Sequence, residues 1–257
     1  QTAECANRDE FYLIKMERKM VSLVDRNVVV IGGTSGIGLA TAVMAKAQGA
    51  KVWAVGRSED RAAAAAEGNP GISFSTLDIH NLDALTTLFE SIGIIHHVVA
   101  AATGANRTMA PFIEQTDEQF REAFNKFWGY CNVIRKASPY MTDDGSITLL
   151  GGFPARKCNP GMSAVSCVGN AVEGLSRALA VEMAPRRVNV VAPGTISTGM
   201  FDNLGDKKEE ILAKGTQHIP LKRPGQSEEV ASAVILTLTN AYMTGTTIDI
   251  EGGALLP

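Results

Sequence analysis

The 257-residue chain is 45% hydrophobic and 20% charged, an ordinary globular composition that suffices for one large core and makes one domain the default. Its formal net charge of -3 offers no basic face to neutralise a phosphate backbone, so nucleic acid is excluded as an expected partner. No apolar run approaches the roughly 20 residues needed to span a bilayer, and residues 1–20 lack the apolar centre of a signal peptide; they are read as an extension outside the fold proper.

From residue 21 onward, short β-rich runs alternate with longer stretches of helical character, the pattern of a parallel sheet covered on both faces. Strands are predicted at 27–31, 51–55, 72–76, 97–101, 146–150, 188–191 and 246–250. Helices are predicted at 37–47, 61–67, 83–91, 117–140, 162–183, 207–214 and 228–238. Thr116 before Asp117, with Gln119 following, reads as a capping box, and Pro139 and Pro185 sit where helices should stop. The expectation for residues 21–257 is a single α/β domain, a doubly wound parallel sheet of seven strands with helices on both faces.

The first predicted strand runs straight into Gly32-Gly33-Thr34-Ser35-Gly36-Ile37-Gly38 and then into an apolar helix. A pyrophosphate needs that combination: absent side chains let the backbone approach, and free N–H groups at the helix start face the negative charge. The fold is therefore read as Rossmann-type. At the end of the second strand, where an acidic residue holds the ribose 2′-hydroxyl of NAD, stand Gly56 and Arg57. Arg57 is suited to pair with a 2′-phosphate, with Ser58 and Thr34 as hydroxyl donors, which makes NADP(H) the expected cofactor; the alternative is that Arg57 is a solvated surface charge. Asp78, ending the third strand, either caps the adenine edge or is the N-cap of the next helix.

These residues resemble the short-chain dehydrogenase/reductase family over roughly residues 21–257. The GxxxGxG turn at Gly32, Gly36 and Gly38 is similar to its cofactor motif, and Val190-Val191-Ala192-Pro193-Gly194-Thr195-Ile196-Ser197-Thr198 to its Pro-Gly segment. The stretch from Thr244 to Gly253 is similar to its last strand. The resemblance implies cofactor contacts from Gly32, Thr34, Ser35, Gly36, Ile37, Gly38, Asp78, Ile79, Ala100, Ala101, Pro193, Gly194, Ile196 and Thr198. It also implies a homodimer or homotetramer formed through the predicted helices 117–140 and 162–183.

The family's carbonyl reductases use an Asn, Ser, Tyr and Lys set, in which tyrosine passes a proton to the substrate and lysine lowers the tyrosine pKa. Aligned without gaps, the four positions carry Lys126, Gly152, Val165 and Gly169. Valine cannot donate a proton, and Gly169 is expected to leave a void where a long cation would lie, enlarging the pocket. Lys126 is the candidate catalytic residue, as proton donor or as anchor for an anionic group; the alternative is a surface lysine with a buried stem. Gly152, Phe153, Lys157, Val165 and Met200 are candidate pocket residues for a small-molecule substrate, with Met162 and Phe201 either pocket or packing. Arg156 and Lys157 are either the rim of an anion site or solvated loop charges. Residues 198–216 have the composition of a lid.

The four cysteines, Cys5, Cys131, Cys158 and Cys167, form no CxxC pair, and His80, His96, His97 and His218 show no ligand spacing. Thiols in a reducing, cytoplasmic setting are expected, with no metal site and no membrane partner. Three functions stay open: an atypical NADP(H)-dependent oxidoreductase acting on C=O, C=N or activated C=C; a non-catalytic NADP(H)-binding or sensing protein; and a redox-neutral cyclase or isomerase.

Overall fold

The computed structural model describes residues 21–103 and 109–257, apart from the side chains of residues 200 and 202–204. The predicted extension at residues 1–20 lies outside the described residues, and so does the side chain of Met200. In chain order the elements are β1 (Asn27–Ile31), α1 (Gly36–Ala47), β2 (Lys51–Gly56), α2 (Glu59–Gly68), β3 (Ser73–Thr76), α3 (Leu82–Ile92) and β4 (Ile95–Ala100). There follow α4 (Asp117–Ala137), β5 (Met141–Leu150), α5 (Ser163–Glu182), β6 (Arg187–Pro193), α6 (Lys208–Thr216), α7 (Ser227–Thr239) and β7 (Thr247–Ile250).

All pairings are parallel, in the order β3-β2-β1-β4-β5-β6-β7, so the seven-stranded doubly wound sheet expected from the alternation is present. Val28 to Ile31 are all buried, because a central parallel strand is covered on both faces. The two-residue period divides them: Val29 and Ile31 join Phe89 of α3, Tyr130 and Val133 of α4 and Val172 of α5 in one core. Val28 and Val30 join Ala42 and Ala45 of α1 and Val230, Val234 and Leu238 of α7 in the other. Strand order reverses at β1, whose neighbours are β2 and β4, so the crevice of the fold opens above the carboxyl ends of these strands.

Two boundaries differ for a physical reason. β5 begins at Met141 rather than at residue 146: it advances from Met141 to Ser146 while β4 advances only from Ile95 to His97, and the extra residues, Asp143 and Asp144 among them, bulge outward. The predicted helix 117–140 ends at Ala137 and closes with a 3-10 turn, Ser138–Tyr140, because Pro139 has no N–H to continue it. Arg186 donates to the carbonyls of Ser138, Met141 and Thr142 at 3.2, 2.8 and 3.3 Å, satisfying acceptors released there. The capping box of Thr116 and Gln119 opens α4 as predicted.

Polar side chains inside the sheet are matched individually. Arg187, buried at the start of β6, donates to the carbonyls of Thr237 and Leu238 at 2.6 and 2.8 Å and so places a cation at the carboxyl end of α7. His97 Nδ1 lies 2.8 Å from Ser146 Oγ, both groups fully enclosed. No described helix is long and apolar enough to cross a membrane.

Candidate active site

At the crevice, Gly32 N–H and Gly33 N–H both donate to the Val55 carbonyl, at 2.7 and 3.0 Å, which fixes the glycine turn against the end of β2. Gly32 has φ +84° and a β-carbon there would come within 2.5 Å of Ala102 N, so the turn closes only on glycine. Gly36, at φ +53°, faces the Thr198 side chain, whose nearest atoms would lie 3.5 Å from an added β-carbon. Gly38 lies against the Gly32 carbonyl, where no side chain fits.

The N-terminus of α1 is left open: Ser35, its N-cap, makes no side-chain capping bond, and its first turn has no acidic residue. Peptide N–H groups at that end therefore have no anionic side chain of the helix's own first turn to serve them, the arrangement that receives a phosphate. Ala101 N–H donates to the Ile31 carbonyl at 2.7 Å, carrying the end of β4 beside the turn, while Gly194 N–H donates to Ile250 O at 2.9 Å and sets the Pro193–Gly194 segment, at the end of β6, against the end of β7. Ile196 is buried and bridges to Gly225, and Ile79, also buried, packs on Gly129 of α4. The fold thus brings Gly32, Ser35, Gly36, Ile37, Gly38, Ala100, Ala101 and Thr198 to one edge.

Gly56 supports the Thr34 side chain, which occupies the place of a β-carbon. Arg57 is exposed, and Ser58 is the N-cap of α2, its Oγ accepting from Arg61 N–H at 3.3 Å. Asp78 is not the cap of α3. Its carboxylate accepts from His80 N–H at 2.9 Å in a local turn, and Asn81 caps the helix by accepting from Ala84 N–H at 3.0 Å.

Lys126, half-buried on α4, turns toward the sheet. Its Nζ donates to the Gly151 carbonyl at 3.3 Å and lies 5.5 Å from the centroid of the Tyr130 ring, a carbonyl dipole and a π face that both attract a cation. Tyr130 itself is fully buried, with its hydroxyl donating to Leu150 O at 3.3 Å. The amine therefore sits at the carboxyl end of β5, one residue before Gly152, and is not directed outward. Gly152 has room: a β-carbon there meets nothing closer than Pro154 Cδ at 3.4 Å.

Gly169 corrects the expectation of a void. A β-carbon on Gly169 would lie 2.9 Å from the Ala155 methyl, because the turn Phe153–Ala155 packs onto α5 at that point. Asn170 Nδ2 donates to the Ala155 carbonyl at 2.6 Å and holds the turn down. The space is filled by Ala155, its methyl foremost and its main chain behind. Val165, one turn earlier, is half-buried, and Gln115 donates to Ser163 Oγ at 3.0 Å, so the segment before α4 covers the start of α5.

Neither sequence reading of Arg156 and Lys157 describes them. Arg156 pairs with Asp249 of β7 at 2.6 Å and with buried Glu173 of α5 at 3.1 Å, while Lys157 Nζ donates to the Ala254 carbonyl. Both are ties that hold the loop after β5 to the C-terminal segment. Burial raises the Asp249 carboxyl above the ordinary carboxylate range, against the opposing pull of Arg156. The sequence signal for this network was Glu173, an acid one residue after buried Val172 and four residues before Arg177, which also faces it at 3.8 Å. The residues expected to form a lid run through 3-10 turns over Gly199–Lys207, broken at Gly205 where φ is +54°, and then α6, with Leu221 N–H donating to Gly252 O at 3.2 Å beyond them.

The family model described as enoyl-(acyl carrier protein) reductase matches residues 32–254. The short-chain dehydrogenase/reductase malC of Malbranchea aurantiaca is 32% identical over 251 residues, 90% of this chain and 95% of that protein. The 3-oxoacyl-[acyl-carrier-protein] reductase of Homo sapiens is 34% identical over 243 residues, 91% of this chain and 99% of its own length. The solved structure of the MalC reductase/Diels-Alderase is similar with a TM-score of 0.83 at 32% identity, covering 91% of this chain and 98% of that one. An NADPH-bound short chain oxidoreductase from Pseudomonas aeruginosa PAO1, described as containing an atypical catalytic center, gives a TM-score of 0.81 at 28% identity, covering 90% of this chain and 98% of its own.

Proposed function

The chain belongs to the short-chain dehydrogenase/reductase family of oxidoreductases, and on that premise we propose that it is an NADP(H)-dependent oxidoreductase of small organic substrates that works without the family's tyrosine relay. The observation that carries the reading is the open N-terminus of α1 with Gly36 facing Thr198, a cradle shaped for a pyrophosphate. The 2′-phosphate falls to Arg57, with the Thr34 and Ser58 hydroxyls beside it; the NADPH bound to the Pseudomonas relative supports that choice. Bound there, the nicotinamide supplies hydride chemistry to the substrate carbon.

The chain's own residues then have to provide orientation and the proton. At the positions of the family's serine, tyrosine and lysine stand Gly152, Val165 and Gly169, none of which donates through a side chain. The ammonium of Lys126 carries three N–H donors, one of them on Gly151 O, and is the group beside Gly152 that can donate to a substrate oxygen or nitrogen as negative charge develops. An iminium substrate, already cationic, needs no such proton, and for it Lys126 would serve only to orient.

A second reading is favoured by one finding. The malC relative is described as both reductase and Diels-Alderase, so a redox-neutral ring closure on the same scaffold is the alternative, with the site acting as a template. The test is a panel of aldehydes, ketones, imines and enones with NADPH, read as loss of nicotinamide absorbance. Oxidation with at least one class is expected; binding without oxidation across the panel would sink the oxidoreductase reading and leave the template.

A homo-oligomer is part of the same proposal. Phe112, Phe120, Phe124, Phe127 and Trp128 form a chain of ring contacts on and before α4, with Phe112 and Trp128 exposed, a surface suited to a second copy. Mass measurement in solution decides it: a monomer at all concentrations would contradict it.

A further inference from the structure

We propose that Thr34 is a gate on cofactor choice: its side chain fills the space that any side chain at position 56 would need, which closes the chain to the acidic residue that holds an unphosphorylated ribose. The inference rests on the NADP(H) reading above and adds a residue that enforces it.

Thr34 lies within the glycine turn and is 8% exposed. A β-carbon built on Gly56 would overlap the Thr34 hydroxyl oxygen, approach its methyl carbon to 2.7 Å and its β-carbon to 3.0 Å. Turning χ1 exchanges hydroxyl for methyl but leaves the Thr34 β-carbon in place, so a rotamer change does not clear the volume. Nor can the turn retreat. Gly32 N–H and Gly33 N–H are both bonded to Val55 O, and Gly33 itself has Ala54 beneath it, whose methyl would be 2.9 Å from an added β-carbon.

The consequence reaches the cofactor. An acid at the end of β2 accepts from the ribose hydroxyls of NAD and repels a 2′-phosphate. Here that acid is absent because Thr34 excludes it, and the hydroxyl standing in its place, next to Arg57, has a donor to offer a phosphate oxygen. A single change at position 56 therefore cannot convert the site. A paired change can.

The test compares wild type, Gly56→Asp, Thr34→Gly and Thr34→Gly/Gly56→Asp, titrated with NADPH and NADH by nicotinamide fluorescence. We expect wild type to favour NADPH, Gly56→Asp to lose affinity for both, and the double variant to gain about tenfold or more for NADH over wild type while losing NADPH. If Gly56→Asp alone binds NADH as well as the double variant, or the double variant gains nothing, the gate is overturned. Should Gly56→Asp fail to fold, Gly56→Ala is melted without any cofactor: the gate predicts a lowered Tm that Thr34→Gly restores, and an unchanged Tm overturns it. A wild type that prefers NADH would instead overturn the NADP(H) reading, while the melting comparison still decides whether Thr34 excludes a side chain at position 56.

Discussion

Gly169 of α5 and Ala155 of the turn after β5 are so close that a β-carbon on the glycine would stand 2.9 Å from the alanine methyl. Gly169, which we propose stands where the family carries its lysine, is therefore a packing seat for Ala155. Restoring the relay by Gly152→Ser, Val165→Tyr and Gly169→Lys is expected to fail at the last step, whereas Gly152→Ser alone fits. Gly169→Lys should destabilise by about 1–3 kcal/mol, the usual cost of overpacking, and Ala155→Gly should recover most of it. Urea unfolding of the single and double variants reads this directly; equal stability of Gly169→Lys and wild type would remove the contact from the account.

Lys126→Met keeps the stem and removes the ammonium at Gly151 O. For a ketone or aldehyde substrate, kcat should fall about 10²–10⁴-fold, the range for loss of a positioned proton donor. For an iminium substrate the same variant should turn over within a few-fold of wild type. Steady-state kinetics with both classes separates a donor from an orienting role, and an unchanged kcat for a ketone would contradict the donor.

His97 is held neutral: burial foremost, then the nearby Arg187, His96 and Arg26 charges, lowers its pKa to about 3, while Asp144 pulls the other way. An unfolded histidine titrates near 6.5, so the group stabilises the fold fully above that pH and loses the contribution as pH falls toward the folded value. Stability should drop by about 2 kcal/mol between pH 6.5 and 5 from this group, and His97→Asn should flatten the slope. Denaturant titrations at the two pH values check it; a slope that persists in the variant assigns it elsewhere.

Arg156 joins Asp249 and Glu173, carboxylates with side chains 27% and 8% exposed. Arg156→Met leaves a buried acid short of its cation and should cost about 1–3 kcal/mol, discounted at the partly exposed Asp249 end. Adding Glu173→Gln should cost less in that background than in wild type, because the two share one network. Additive losses in a double-mutant cycle would contradict the coupling.

Much of the fold was legible because the signals were local. The apolar run Val28–Ile31 passing into glycines, and the capping box of Thr116 and Gln119, are set by neighbours in sequence. The glycine turn between β1 and α1 was legible for the same reason. What sequence spacing missed depends on contacts between distant segments: Arg156 reaches β7 across 93 residues, and Lys157 reaches the C-terminal segment across 97. The Gly169 void was inferred from a missing side chain, but whether deletion leaves a hole depends on what moves in, and here Ala155 does. Thr34 and Gly56 were each read alone, and only the folded turn places one upon the other.

The most direct measurement of the central claim uses NADPH carrying deuterium at both hydrogens of nicotinamide C4, offered with each class of substrate, and reads the product mass. Hydride transfer on this scaffold without the tyrosine relay predicts a product carrying the deuterium, formed at a rate that depends on Lys126 when the acceptor is a carbonyl. A product that forms without label, or bound NADPH that yields no labelled product from any class, would contradict it.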